Sequence, residues 1–163
     1  MKIYLTVLML LFTIKAQAVD LYVGAGLAYK SDEGDSKVYS LSLVDENITY
    51  NISNFKDYDK SPWPNWKLTD SRLPVPEHYV FSVEYRVLES SAWHECTVYF
   101  DMGIAYSNRI SRANSSHLVF KESIGIQYKK IFRIYVSHTS NAGLVPPNIG
   151  DDQVSAIFKL YEF

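Results

Sequence analysis

Alternation of apolar and polar residues with a period of two runs through most of this sequence and restricts the fold to sheet. In the segment Tyr79 to Val87, tyrosine, phenylalanine and valine alternate with Ser82, Glu84 and Arg86. Because successive side chains of a strand point to opposite faces, such a segment separates an apolar environment from a polar one. The same alternation predicts eight strands: Leu21 to Tyr29, Val38 to Leu43, Asn47 to Ser53, Tyr79 to Val87, Cys96 to Tyr106, Leu118 to Tyr128, Phe132 to His138 and Gln153 to Phe163.

The connections between these segments favour a membrane β-barrel over the alternative, a soluble periplasmic sandwich with a binding cleft. Short and long connections alternate strictly, as expected when periplasmic turns are short and outer loops are long. Thirteen tyrosines and an aromatic content of 15% suit the girdles that such barrels place at both membrane interfaces. We therefore predict an eight-stranded antiparallel transmembrane β-barrel. Its narrow lumen would be lined by small residues, namely Gly24, Gly26, Ala28, Ser40, Ser42, Gly103 and Ala105.

The N-terminal residues 1–18 have the pattern of a secretory signal peptide. Lys2 precedes an apolar stretch that is too short to cross a bilayer as a helix, and the segment ends in Ala16-Gln17-Ala18. We expect cleavage after Ala18, with residues 19–163 forming one barrel domain in the bacterial outer membrane. The leader carries basic residues and no acid, so its removal makes the net charge of −2 more negative, and no nucleic-acid partner is indicated.

Two further features limit the architecture. Cys96 is the sole cysteine, so an internal disulfide is excluded, and its position in the alternation predicts an ordinary apolar wall residue. The connection from Asn54 to Glu77 contains four prolines and two tryptophans, which excludes a regular strand and predicts a long outer loop.

A histidine and a serine stand two residues apart at the end of the seventh predicted strand. In a strand, His138 and Ser140 share a face, so the imidazole can take the proton of the hydroxyl as it attacks an acyl carbon. Antiparallel pairing can bring Asp152 of the next strand beside His138 to orient it, and Asp151 competes for that role. This face also carries Ile134 and Val136 and would meet lipid. Polar groups there cost free energy, so they predict a functional site.

An esterase of this kind also needs hydrogen-bond donors for the negative charge that develops on the acyl oxygen. Asn148 and the backbone N–H near Gly143 lie in the loop that follows Ser140, so they are candidates for that role. Residue spacing and composition alone indicate an ester hydrolase at a membrane surface and do not identify its substrate.

The segment His138-Thr139-Ser140-Asn141-Ala142-Gly143, followed by Pro147-Asn148 and Gly150 and then an acid, resembles the lipid A 3-O-deacylase (PagL) family, whose members are small outer-membrane barrels. The resemblance implies Ser140 as nucleophile, His138 as base and Asp152 as acid, where the family usually has glutamate. It also implies that Asn141 and Asn148 match the family's asparagines near the active site and the oxyanion hole. The implied reaction removes the 3-O-linked 3-hydroxyacyl chain from lipid A of lipopolysaccharide.

The resemblance implies lipid A and outer-membrane lipids as partners, and a homodimer is compatible with it. Neither a metal nor an organic cofactor is needed for this chemistry. The remaining histidines, His78, His94 and His117, have no spacing that resembles a metal site. An alternative of a different class is a non-catalytic small barrel for adhesion or surface protection, in which the His138 region is inherited but inactive. The discriminating feature is whether Ser140, His138 and a carboxylate lie within hydrogen-bond reach.

Overall fold

A computed structural model describes residues 19–30, 34–57, 77–110, 116–144 and 150–163 of the chain. The predicted signal peptide lies outside the described residues. The described residues form eight strands: β1 Val19–Lys30, β2 Gly34–Asp45, β3 Ile48–Asp57, β4 His78–Ser91, β5 Cys96–Ser107, β6 Leu118–Tyr128, β7 Phe132–Ser140 and β8 Asp151–Glu162.

The strands form a closed antiparallel barrel in which each strand pairs with its neighbour in sequence and β1 pairs with β8. Closure leaves no free sheet edge, so every strand satisfies its backbone hydrogen bonds within the barrel. The predicted fold class is confirmed. Within the described residues, no helix is long and apolar enough to span a membrane.

The outside of the barrel is apolar and the inside is polar, the reverse of a soluble protein. Outward-facing side chains such as Phe81, Tyr85 and Ile104 remain about half exposed, whereas Ser42 and Ser155 on the inward face are 2% exposed. A lipid environment stabilises this arrangement, because apolar side chains face hydrocarbon while polar groups bond to one another inside. The alternative of a soluble sandwich, which would bury the apolar faces, is therefore wrong.

A network of charged side chains fills the lumen. The Lys121 ammonium lies 2.8 Å from Glu84 Oε1, and the hydroxyls of Ser82 and Ser123 donate hydrogen bonds to the same carboxylate at 2.8 and 2.7 Å. All four residues are at most 5% exposed. Since a buried charge is tolerated when it is paired and hydrogen-bonded, the network both fills and rigidifies the barrel. Two cavities between lumen side chains measure about 20 Å³ each, enough for a single water.

Replacing Glu84 by alanine is expected to destabilise the barrel by about 3–5 kcal/mol, because the Lys121 ammonium would stay buried without its counter-charge. The measurement is the urea midpoint of the folded barrel in detergent. The double variant Glu84→Leu with Lys121→Met removes both charges and should recover most of the loss. If the single and double variants unfolded at the same midpoint, the buried pair would not be the cause.

The strand ends and one side chain differ from the sequence-based expectation. Strand β3 continues to Asp57, so the long loop begins after the predicted Asn54, and residues 58–76 lie outside the described residues. The sequence predicts that most of five charged strand residues form a polar network in the lumen, namely Glu84, Arg86, Asp101, Lys121 and Glu122. Glu122 instead faces outward, because it shares the parity of Phe120 and Ile124 on β6.

Candidate active site

The imidazole of His138 and the carboxylate of Asp152 are bonded on the outer wall of the barrel. His138 of β7 is the register partner of Asp152 of β8, so both side chains leave the sheet on the same face. His138 Nδ1 lies 2.8 Å from Asp152 Oδ1. The two side chains are 43% and 64% exposed, which makes the pair accessible from outside the barrel. The Asp152 side chain, although shorter than a glutamate, therefore reaches the imidazole.

Strand parity separates the two candidate acids. Asp151 precedes Asp152, so it points to the opposite face, where it lines a lumen cavity with His78 and Gln153. Its register partner is Thr139 rather than His138. Of the two adjacent aspartates, Asp152 is the one that the sheet presents to the imidazole.

Ser140 is the last residue of β7 and lies on the outward face with His138. In a strand, the Cα atoms of residues two positions apart, such as His138 and Ser140, are about 6.6–6.8 Å apart. Among the described residues, no hydrogen bond joins the Ser140 hydroxyl to the imidazole. Catalytic hydrogen bonds are often long without substrate and tighten when it binds, and a serine hydroxyl rotates freely. The histidine and acid of the predicted triad are therefore bonded, while the serine is their neighbour.

A tight turn follows Ser140 and holds the next candidates. Ala142 and Gly143 adopt left-handed φ values of 54° and 75°. The Gly143 N–H donates to Asn141 Oδ1 at 3.0 Å, and Asn141 is 1% exposed. The Asn141 amide therefore stabilises this turn from the interior. Gly143 can donate to a substrate oxygen only by exchanging that bond. Asn148 lies outside the described residues, and the oxyanion roles of all three stay predictions.

Gly150 packs directly against the imidazole. Its φ of 79° is left-handed, and a Cβ built on it would lie 2.3 Å from His138 Cε1 and 2.6 Å from Nε2. Only glycine fits here, because both the backbone conformation and the available space exclude a side chain. Gly150 thus supports the imidazole from the β8 side.

An apolar groove of about 520 Å³ runs along the outer wall directly beside His138, on the side away from the outer end of β7. Strands β6 and β7 supply most of its walls, and β5 closes one side. Successive register pairs Ile124 with Val136, Ile126 with Ile134 and Tyr128 with Phe132 line it in order. A long apolar chain is the ligand that such a surface accommodates.

The barrel is similar to a solved structure, "Crystal structure of the outer membrane enzyme PagL", with a TM-score of 0.57 at 17% sequence identity. The match covers 86% of this chain and 98% of that chain. The two chains share one fold. No family model matches the sequence, and no curated protein matches it. The comparisons add no support for a homodimer.

Two residues beside the histidine were not assigned to the site from the sequence. Gly150 was noted as part of a motif, but its contact with the imidazole depends on how the loop after β7 returns to β8. The sequence-based prediction gives Glu122 no role in the site, yet it is the register partner of His138 on β6. Counting outward from the short β6–β7 turn would have indicated this pairing, because a short hairpin fixes its register.

Proposed function

We propose that this chain is a serine esterase of the bacterial outer membrane that hydrolyses the 3-O-linked 3-hydroxyacyl chain of lipid A. The observation that carries the proposal is the His138–Asp152 bond of 2.8 Å, formed on the outward wall next to Ser140. A structural ion pair would not need to stand on a lipid-facing surface, where polar groups cost free energy. The fold shared with an outer-membrane enzyme and the motif from His138 to Gly150 support the same function.

In the proposed mechanism, Asp152 accepts a hydrogen bond from His138 Nδ1–H and leaves Nε2 as the base. Nε2 takes the proton of Ser140 as the hydroxyl oxygen attacks the acyl carbonyl carbon. Backbone and side-chain N–H groups of the loop, with Gly143 and Asn148 as the predicted donors, stabilise the oxyanion. The imidazolium then protonates the departing sugar oxygen. Water, activated in turn by His138, attacks the acyl-enzyme and releases a 3-hydroxy fatty acid.

The position of the site agrees with a substrate in the outer leaflet. If the chain ends face the periplasm, β7 runs outward and Ser140 lies at its outer end, where the ester bonds of lipid A headgroups lie. The acyl chain bound to Ser140 would extend down the wall into the apolar groove. Burial of a long acyl chain against lipid-facing side chains costs no polar desolvation there, so the groove orients the chain at little cost.

The test is mass spectrometry of lipid A from a Gram-negative host that expresses the protein, beside the same host without it. We expect the mass of lipid A to fall by one 3-hydroxyacyl group, with the matching fatty acid released. Insertion of the folded barrel is checked by its altered migration in unheated samples. Unchanged lipid A with a correctly inserted barrel would contradict the proposal and favour the non-catalytic barrel for adhesion or surface protection.

Gly150→Ala is expected to lower the rate of ester hydrolysis by about 10²-fold or more, because the new methyl group displaces the imidazole from its position beside Ser140. The measurement is the hydrolysis rate of a detergent-solubilised acyl ester. The control is the urea midpoint of the folded barrel in detergent, because alanine at the left-handed φ of 79° would also strain the backbone. An unchanged rate of hydrolysis in the folded Gly150→Ala barrel would show that Gly150 does not position His138.

A further inference from the structure

Glu122 stands beside His138 on the outward wall of the barrel. The register places Met102 of β5, Glu122 of β6, His138 of β7 and Asp152 of β8 in one row across the wall. The imidazole therefore has a carboxylate residue on each side. Directly opposite residues of neighbouring strands have Cβ atoms about 4.5–5.5 Å apart, so Glu122 lies within side-chain reach of anything bound at His138.

The location of Glu122 is unfavourable for a charged side chain without a ligand. Over β5, β6 and β7, all of which the structure describes, Glu122 and His138 are the acidic or basic residues on the outward face. Glu122 is flanked along its strand by Phe120 and Ile124, which are 47% and 57% exposed. A carboxylate on an apolar, lipid-facing surface costs free energy, which argues for a function.

The imidazole of His138 is not bonded to the carboxylate of Glu122. His138 Nδ1 is bonded to Asp152, and among the described residues no hydrogen bond or ion pair involves Glu122. The side chain is exposed on the wall. Its acceptor oxygens are therefore available to a hydrogen-bond donor that a bound molecule brings.

The order of residues down the wall indicates what that donor belongs to. Ser140 pairs with Phe120, the next outward pair is His138 with Glu122, and the pair after that, Val136 with Ile124, begins the apolar groove. Adjacent outward-facing pairs are about 6.6–6.8 Å apart. An acyl chain whose carbonyl lies at Ser140 and whose tail lies in the groove passes Glu122 within its first few carbons.

We propose that Glu122 is a specificity-determining residue that accepts a hydrogen bond from a hydroxyl on the acyl chain close to the ester carbonyl. The inference rests on the proposed esterase function and deepens it by assigning recognition of that hydroxyl to Glu122, a residue outside the predicted triad. A hydroxyl donating to an ionised carboxylate forms a strong, charge-assisted bond. A plain chain would cover the same carboxylate with methylene groups and leave it without a partner.

The experiment compares two esters that differ only in a 3-hydroxyl on the acyl chain, with kcat and KM measured for the wild type, Glu122→Gln and Glu122→Leu. The wild type should prefer the hydroxyacyl ester by about ten- to a hundred-fold in kcat/KM. Glu122→Leu should remove this preference, chiefly by improving hydrolysis of the plain ester and weakening that of the hydroxyacyl ester. Glu122→Gln keeps an acceptor oxygen and should retain part of the preference for the hydroxyacyl ester. Glu95→Gln, in the turn before β5 at the opposite end of the barrel from His138, is the matched control and should leave the ratio unchanged.

The outcomes separate this inference from the function on which it rests. An equal loss on both esters in Glu122→Leu would overturn the specificity role and assign the carboxylate to His138 instead. An active wild type whose substrate ratio does not change in either variant would also overturn it, while leaving the esterase intact. A folded wild type that hydrolyses neither ester would overturn the esterase and this inference together.

Discussion

Ser140→Ala is expected to reduce the rate of ester hydrolysis by about 10⁴-fold or more while the barrel folds as before. Without its nucleophile, the site keeps the His138–Asp152 pair and the groove but forms no acyl-enzyme. The barrel should be unaffected, because Ser140 lies at the end of β7 and its hydroxyl does not take part in the lumen network. The measurement is the release of fatty acid from purified lipid A in detergent, together with the urea midpoint.

Ser137→Ala is the matched control for that variant. Ser137 lies on the same strand and is 1% exposed, but it points into the lumen. Ser137→Ala removes a serine hydroxyl from the opposite face of the same strand, so activity should stay within a few-fold of the wild type. Full activity in Ser140→Ala would exclude the proposed nucleophile, and an equal loss in Ser137→Ala would trace the effect to the fold.

The barrel could be predicted from the sequence because its cause is local and repeated. Strict alternation in segments such as Leu118 to Tyr128 places one face in lipid and the other in the lumen, and short turns fix the order of the strands. The ends of the strands were harder to predict from the sequence. Strand β3 extends beyond Ser53 through Asn54, Phe55 and Lys56 because it still pairs with β2, which the hydropathy of those residues does not show.

Within the candidate site, the alternation of side chains along a strand made part of the geometry predictable. It predicts that His138 and Ser140 share a face, and it distinguishes Asp152 from Asp151 once the β7–β8 register is known. The register itself depends on the whole loop between Ser140 and Asp151, so the sequence left the choice of acid open. The contacts of Gly150 and the outward position of Glu122 depend on packing between strands distant along the chain, which no local pattern encodes.

Asp152→Asn is expected to lower turnover by up to about 10⁴-fold with little change in the stability of the barrel. An asparagine of the same shape can donate to Nδ1 from its amide, which favours the tautomer whose Nε2 carries the proton and cannot act as base. It also removes the negative charge that stabilises the imidazolium in the transition state. Because Asp152 is 64% exposed, the loss of its bond to His138 should cost the folded barrel little.

Two further variants decide what the carboxylate contributes. Asp151→Asn changes the adjacent aspartate, which faces the lumen, and should leave the rate within a few-fold of the wild type. Asp152→Glu keeps the charge, and since the side chain is exposed, the extra methylene can be accommodated by moving outward; its rate should also stay within a few-fold. If Asp152→Glu were as slow as Asp152→Asn, the 2.8 Å contact with His138 Nδ1 would matter through its geometry more than through its charge. Normal turnover in Asp152→Asn would instead remove the acid from the mechanism and leave His138 oriented by Gly150 alone.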